Sequence, residues 1–256
     1  MNINDLSTQL LYTTVPIFGI KGDGSQVSGT GFIFSVFDKE DSSKSIPLLI
    51  TNYHVMEGII NGFIEFSLSE NSMPIKGKSI RVNFDGNVLK NKLGRLDLIA
   101  IPLAEALNNL RKNNIEVFYR TISKDMIPTT NQAEELSALE QITFIGYPSG
   151  LYDSYNKTSL IRQGITATPI WNDFKGEPIF LIDAGVFPGS SGSPVFIYNQ
   201  GSYATKDGII IGSRLLFVGI ISETILRQGT TYLDLGRVIN SRAMYNELEN
   251  LMKPYL

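Results

Sequence analysis

The chain of 256 residues contains no cysteine, which excludes disulfide staples, thiolate zinc sites and a cysteine nucleophile together. Histidine is almost absent: His54 is the sole imidazole, so any mechanism that needs such a base near neutral pH must use it. Positive charge is not in excess. The net charge is −3 and no basic tract occurs, which gives no electrostatic reason to expect a nucleic-acid partner. No apolar run is long enough to span a bilayer, and the first residues lack the basic start and apolar core of a signal peptide. The expectation is a soluble, cytoplasmic protein with no membrane partner.

What is present is a globular composition, 43% hydrophobic against 18% charged, so a sizeable core can be buried in one large domain or two smaller ones. Short runs rich in Ile, Val, Phe and Thr, separated by Gly, Asn, Asp and Pro, mark an all-β protein. The first half predicts strands over 14–20, 29–35, 46–51, 63–68, 79–84 and 96–102, with a polar loop over 38–45. The second predicts them over 142–146, 159–168, 178–182, 193–198, 215–222 and 231–235. From Leu103 to Asn114 the composition shifts to helix formers, and the polar stretch that continues to about Glu135 marks a domain boundary. The chain closes with an amphipathic helix over 238–252, placing Met244, Leu248, Leu251 and Tyr255 on one face, with Pro254 as a stop.

One stretch points to chemistry. Gly189-Ser190-Ser191-Gly192-Ser193-Pro194 is a turn of small residues running into an apolar strand. Small residues let backbone N–H groups crowd a serine, an arrangement that receives a developing oxyanion when a base lies within reach. Ser190 and Ser191 both offer hydroxyls, while Ser28 and Ser149 read as loop residues. His54 follows directly on a strand end, where a loop-borne side chain can face a cleft. Asp97, flanked by Leu96 and by Leu98-Ile99-Ala100-Ile101, is the best carboxylate to orient it, because a partly buried acid needs hydrogen bonds. Asp85 is the rival, but Asp85-Gly86 is a turn signal in its own right. The turn misses the G-x-S-x-G elbow at its last position, and the chain lacks the alternating helices of an α/β-hydrolase.

Three strings, in this order, resemble the chymotrypsin-like serine peptidases, and among them the bacterial trypsin-like peptidase domains. Leu49-Ile50-Thr51-Asn52-Tyr53-His54-Val55 is similar to the box around the base, Leu96-Asp97-Leu98-Ile99-Ala100-Ile101 to the strand of the orienting acid, and Gly189-Ser190-Ser191-Gly192-Ser193-Pro194 to the nucleophile box. Ser28-Gly29-Thr30-Gly31-Phe32-Ile33 resembles the strand before the histidine, and Val218-Gly219-Ile220-Ile221-Ser222 the strand lining the cleft.

The resemblance implies two six-stranded antiparallel β-barrels with a C-terminal α-helix: residues 1–115 carry His54 and Asp97, and residues 116–256 carry Ser191. It implies a serine endopeptidase of polypeptides, working through an acyl-enzyme, with Ser191 as nucleophile, His54 as base and Asp97 holding the imidazole. Backbone N–H groups of Gly189 and Ser191 form the oxyanion hole. Substrate lies extended against Ser222, Glu223 and Thr224, and Gly185 and Val186 line the primary pocket. No clear acid stands there, Asp183 entering only if the loop alignment slips by two residues, so a small or apolar side chain is expected before the scissile bond. Glu223 stands where the family often has an aromatic residue. Ser190 replaces the aspartate of zymogen-type members, so no N-terminal maturation is expected. No metal or other cofactor is implied, and oligomeric state is left open. A peptide-binding module with little hydrolysis, or an esterase using the same residues, stays open as an alternative.

Overall fold

The computed structural model describes residues 2–37, 45–206, 208–226 and 232–253. Helix α1 (Leu6–Leu10) is capped by the Asp5 carboxylate, which accepts the Thr8 N–H. After it come β1 (Thr14–Lys21), β2 (Gln26–Phe37), β3 (Ser45–Thr51), α2 (Tyr53–Met56), β4 (Ile59–Glu70) and β5 (Met73–Asp85). The half continues with β6 (Ile99–Pro102), α3 (Ala104–Lys112), β7 (Val117–Phe118) and β8 (Ile122–Ser123). They form one eight-stranded sheet on the path β5-β4-β1-β2-β3-β6, with β7 added to β4 and β8 to β2.

Alternation along the strands sends Val15, Ile17, Ile33, Leu49, Ile64, Phe66 and Ile99 to one face, where they share a core with Val55 and Met56 of α2. No ladder joins β5 to β6 among the described residues. The 3-10 turn Gly86–Lys90 packs against β4, β5 and β6 instead, and Val82 of β5 and Ile101 of β6 pack on the same core. β7 and β8 carry the first sheet beyond residue 115.

The second half contains α4 (Thr130–Glu134), β9 (Gln141–Gly146), β10 (Leu160–Thr166), β11 (Ile179–Asp183), β12 (Pro194–Asn199), β13 (Ser202–Thr205) and β14 (Gly208–Ile211). It ends with β15 (Arg214–Leu226), β16 (Tyr232–Asn240) and α5 (Ser241–Met252). Six of these strands close into a barrel in the order β10-β11-β16-β15-β12-β9. Phe144, Phe180, Ile182, Val195, Val218 and Val238 fill it. A third core joins the halves: Phe32, Phe34 and Ile50 of the first sheet meet Phe196, Phe217 and Ile220 of the barrel, with Met244 and Leu248 of α5. The chain is therefore mostly β, with one closed six-stranded barrel and a C-terminal helix.

Two sequence expectations need adjustment. The terminal helix begins at Ser241 rather than 238, because Val238 and Ile239 ladder with Phe180 and Ile179 of β11 and complete β16. Asn240 then caps the helix, its side chain accepting the Arg242 N–H. The β13–β14 hairpin is an addition, and it leaves Ile209 and Ile211 exposed. Pro254, Tyr255, Thr231 and loop residues 38–44 lie outside the described residues. Among those described, no helix is long and apolar enough to cross a membrane.

Candidate active site

The β3–β6 register builds the first part of the site. Thr51 stands opposite Ile99, so the exit of β3 lies beside the entrance of β6, and Asn52-Tyr53-His54 runs along Asp97. Asn52 Nδ2 and Tyr53 N–H donate to the Asp97 carbonyl at 2.9 and 3.2 Å. The His54 N–H donates to Asp97 Oδ1 at 3.0 Å, and Nδ1 lies 2.6 Å from Oδ2. Burial, the largest single influence, pushes the Asp97 carboxyl up. Hydrogen bonds from the His54 ring and N–H and from Ser222, with the His54 charge, outweigh it and hold the group below the usual carboxylate range. An ionised Asp97 accepts the Nδ1 proton and leaves Nε2 free to take another. Both side chains stay open to solvent, at 46% and 36% exposure.

The serine turn links β11 to β12. Gly189 and Gly192 adopt φ of +86° and +88°. A Cβ at Gly189 would lie 2.6 Å from the Tyr147 carbonyl, and one at Gly192 would run into the Thr30 carbonyl, so both positions need glycine. The four carbonyls from Pro188 to Ser191 are all held. Pro188 O accepts from Ser149 N–H, Gly189 O from Thr30 Oγ1 at 2.9 Å, Ser190 O from Ser193 N–H at 3.0 Å and Ser191 O from Thr30 N–H at 2.9 Å.

In a trans peptide the C=O and the following N–H point opposite ways. The N–H groups of Gly189 and Ser191 are therefore turned away from those partners, and neither has an acceptor among the described residues. The intervening Ser190 N–H reaches Phe187 O at 2.9 Å, and Gly192 N–H reaches Ile221 O at 2.9 Å. Two free donors thus remain beside Ser191. Ser190 itself is buried, its Oγ accepting the Phe187 N–H at 3.4 Å.

Ser222 brings the two halves of the site together. It is the extra residue of a β-bulge in β15, since Ile221 pairs with Val238 and Glu223 already pairs with Arg237. Its carbonyl accepts the Ser191 hydroxyl at 2.9 Å, and its own hydroxyl donates to Asp97 Oδ2 at 3.3 Å. In this rotamer Ser191 makes no hydrogen bond to His54 among the described residues.

The remaining expected site residues fall nearby or into the barrel. Glu223 pairs with Arg237 at 2.8 Å, and Thr224 Oγ1 donates to Leu235 O at 3.4 Å. The Gly185 carbonyl accepts from Arg162 Nη1, whose guanidinium rests over the rings of Phe144 and Phe187 at 5.6 and 5.0 Å. Val186 turns into the barrel core against Gly236. Asp183 ends β11 in an exposed position. Asp85 caps a turn through Asn87, as its turn signal predicts; Ser28, expected in a loop, instead lies within β2 and ladders with Phe18, because the strand runs on to Gln26.

The sequence reading missed the Asn52 and Ser222 contacts with Asp97, the support from Ser149, and the roles of Thr30 and Arg162. Asn52, Ser222 and Thr30 sit inside the matched strings, whereas Arg162 carries no local signal. Among the described residues, no three His, Cys, Asp or Glu converge on a metal position.

Comparison with known proteins gives the family and the fold. Residues 29–203 match the model of the trypsin-like peptidase domain, and the chain belongs to that family. Among solved structures, Deg5 is 16% identical, with 96% of this chain and 90% of that one covered at a TM-score of 0.51. The MamO protease domain of Magnetospirillum magneticum is 14% identical, covering 94% and 98% at 0.52. HL collagenase is 11% identical, covering 96% and 95% at 0.54. At such identities these likenesses establish the fold. A search of curated protein sequences finds no match.

Proposed function

We propose that the protein is a serine endopeptidase in which Ser191, His54 and Asp97 form the catalytic triad. Its strongest support is Ser222, one residue that holds the Ser191 hydroxyl by its carbonyl and the Asp97 carboxylate by its hydroxyl. Rotation about χ1 takes the Ser191 hydroxyl from Ser222 O to His54 Nε2. Oγ attacks the peptide carbonyl as Nε2 takes its proton, while Asp97 keeps Nδ1 protonated and stabilises the imidazolium. The Gly189 and Ser191 N–H groups receive the oxyanion, each donor worth about 3–4 kcal/mol in a site of this kind. His54 then protonates the leaving amine, and water, deprotonated at Nε2, releases the acyl group from Ser191.

Substrate lies as an added strand along Ser222, Glu223 and Thr224. Val186 packs against Gly236 in the barrel core, and a small or apolar side chain is taken before the scissile bond beside Gly185. The first sheet acts as a rolled barrel sealed by packing at Gly86–Lys90, so the chain divides after Ser123 into a base-bearing half and a nucleophile-bearing half.

A fluorophosphonate probe tests the proposal, applied to the wild type, Ser191→Ala and His54→Ala with folding checked by circular dichroism. Labelling of the wild type alone, with cleavage of a peptide library, is expected. A folded wild type that stays unlabelled, or labelling that survives in Ser191→Ala, overturns it. That Ser191 makes no hydrogen bond to His54 among the described residues favours, as the second reading, a peptide-binding module that hydrolyses little; peptide binding without labelling would select it. Cleavage of small esters alone would select an esterase.

A further inference from the structure

We infer that Thr30 is a positioning residue for the oxyanion hole, its buried hydroxyl fixing the Gly189–Ser190 peptide plane and, together with the Pro188–Gly189 plane held by Ser149, the conformation of Gly189 that aims its N–H. This role rests on the endopeptidase reading. Thr30 belongs to β2 of the first sheet, yet its hydroxyl and N–H act on the second half. Oγ1 donates to Gly189 O at 2.9 Å and accepts from Tyr147 N–H at 3.0 Å, while the Thr30 N–H donates to Ser191 O at 2.9 Å. Its own carbonyl accepts from Thr51 Oγ1 at 2.7 Å, at the end of the strand that leads to His54. One fully buried residue therefore ties the serine turn, the end of β9 and the histidine strand together.

The hydroxyl does more than fill space. Gly189 O and Tyr147 N–H have no other partner among the described residues, so valine in this position would leave both buried and unpaired. Gly146 makes room for the group: a Cβ there would lie 2.6 Å from Thr30 Oγ1. As a glycine, Gly189 has wide backbone freedom; the peptide before it is held at Pro188 O, and the peptide after it at Gly189 O and by the Ser190 N–H on Phe187 O. Releasing Gly189 O leaves that second peptide held by the Ser190 N–H alone, so it tilts about this bond, changes the Gly189 ψ and carries the Gly189 N–H off the line on which a tetrahedral oxyanion forms. Ground-state substrate, held along β15, does not feel this change. The loss therefore falls on kcat rather than KM.

The test compares the full-length wild type with Thr30→Val and Thr30→Ser on a peptide substrate, with a peptide aldehyde as tetrahedral mimic. Thr30→Val is expected to lower kcat by about 10- to 100-fold, with KM within about twofold, and to weaken aldehyde inhibition in parallel. Thr30→Ser, which keeps the hydroxyl, is expected to stay within about threefold of wild type. Thr30→Ala replaces Thr30→Val if the latter does not fold, with the same expectation. An active wild type whose folded Thr30→Val or Thr30→Ala variant keeps its kcat, or loses only KM, overturns the role. So does a folded Thr30→Ser variant as impaired as the hydroxyl-free one. A wild type that neither labels with fluorophosphonate nor turns over overturns the endopeptidase reading itself and this role with it.

Discussion

The barrel of the second half closes by backbone hydrogen bonds, each of its six strands having two neighbours, whereas the first sheet ends at β5 and β6 and meets across a packed turn. The chemistry is divided along the same line. His54 and Asp97 sit at strand ends of the first half, open to solvent, and hold each other through short local bonds. The serine turn of the second half is fixed by bonds from elsewhere: Thr30 from the other half, Ser149 from the loop after β9, and Ile221 from β15. The proposed base and acid thus carry their own geometry, while the proposed nucleophile borrows its geometry from the docking of two halves. Damage to the first part should cost rate with little stability, and damage to the docking core should cost stability.

The largest expected effect tests the self-contained part. Asp97→Asn should lower kcat by about 10⁴-fold while leaving the fold intact, because the amide presents the wrong partner to Nδ1. Steady-state kinetics beside a near-ultraviolet spectrum checks this. The same variant changes the acid limb of stability. The folded Asp97 carboxyl lies below its ordinary value, so the unfolded chain binds more protons through that range and stability rises with pH. The contribution is complete above the unfolded carboxylate value, about 3.9, and is lost as pH falls through the folded one. Acid unfolding followed by fluorescence should therefore show the wild type converging on Asp97→Asn at the acid end.

Next in size is the docking core. Phe217 is fully buried, with Phe32 of the first sheet and Phe196 of the barrel at ring distances of 5.4 and 5.8 Å. Phe217→Ala should cost about 3–5 kcal/mol in urea unfolding. Both halves should lose protection from hydrogen exchange together. Phe144→Ala, inside the barrel core alone, is the control: protection lost only in the second half would mean that the halves fold more independently than their shared core suggests.

What the sequence discloses follows the same division. The sequence singles out His54, Asp97 and Ser191 as candidates because each lies in a short string whose chemistry is local: a sole imidazole after a strand, an acid heading an apolar run, a serine among glycines. The contacts that fix the turn are not legible there, since Thr30 and Gly189 are 159 residues apart. Val186 offered a signal that was passed over: Ile182, Ala184 and Val186 alternate into the barrel core, which turns Val186 inward. The helix start was misread because the apolar spacing of α5 continues back through Val238 and Ile239, whose ladder partners lie on a strand some sixty residues earlier, about the sequence distance from Ile179 to Ile239. The β13–β14 hairpin escaped notice because its isoleucines cover no core.

The smallest effect probes whether side chains help to close the barrel. Glu223 stands directly across the ladder from Arg237, which also reaches Glu177 at 2.6 Å. Glu223, Arg237 and Glu177 are 54%, 33% and 61% exposed, so solvent screens the attraction, and Arg237 keeps Glu177 when Glu223 is neutralised. Glu223→Gln should therefore shift the stability by less than about 1 kcal/mol. Because Glu223 flanks the strand along which substrate is proposed to lie, the same change should move KM more than kcat. A loss of several kcal/mol in urea unfolding would mean that β15 and β16 depend on this charged trio as well as on their ladder. The contrast between a barrel closed by its backbone and a sheet sealed by packing would then fail at this seam.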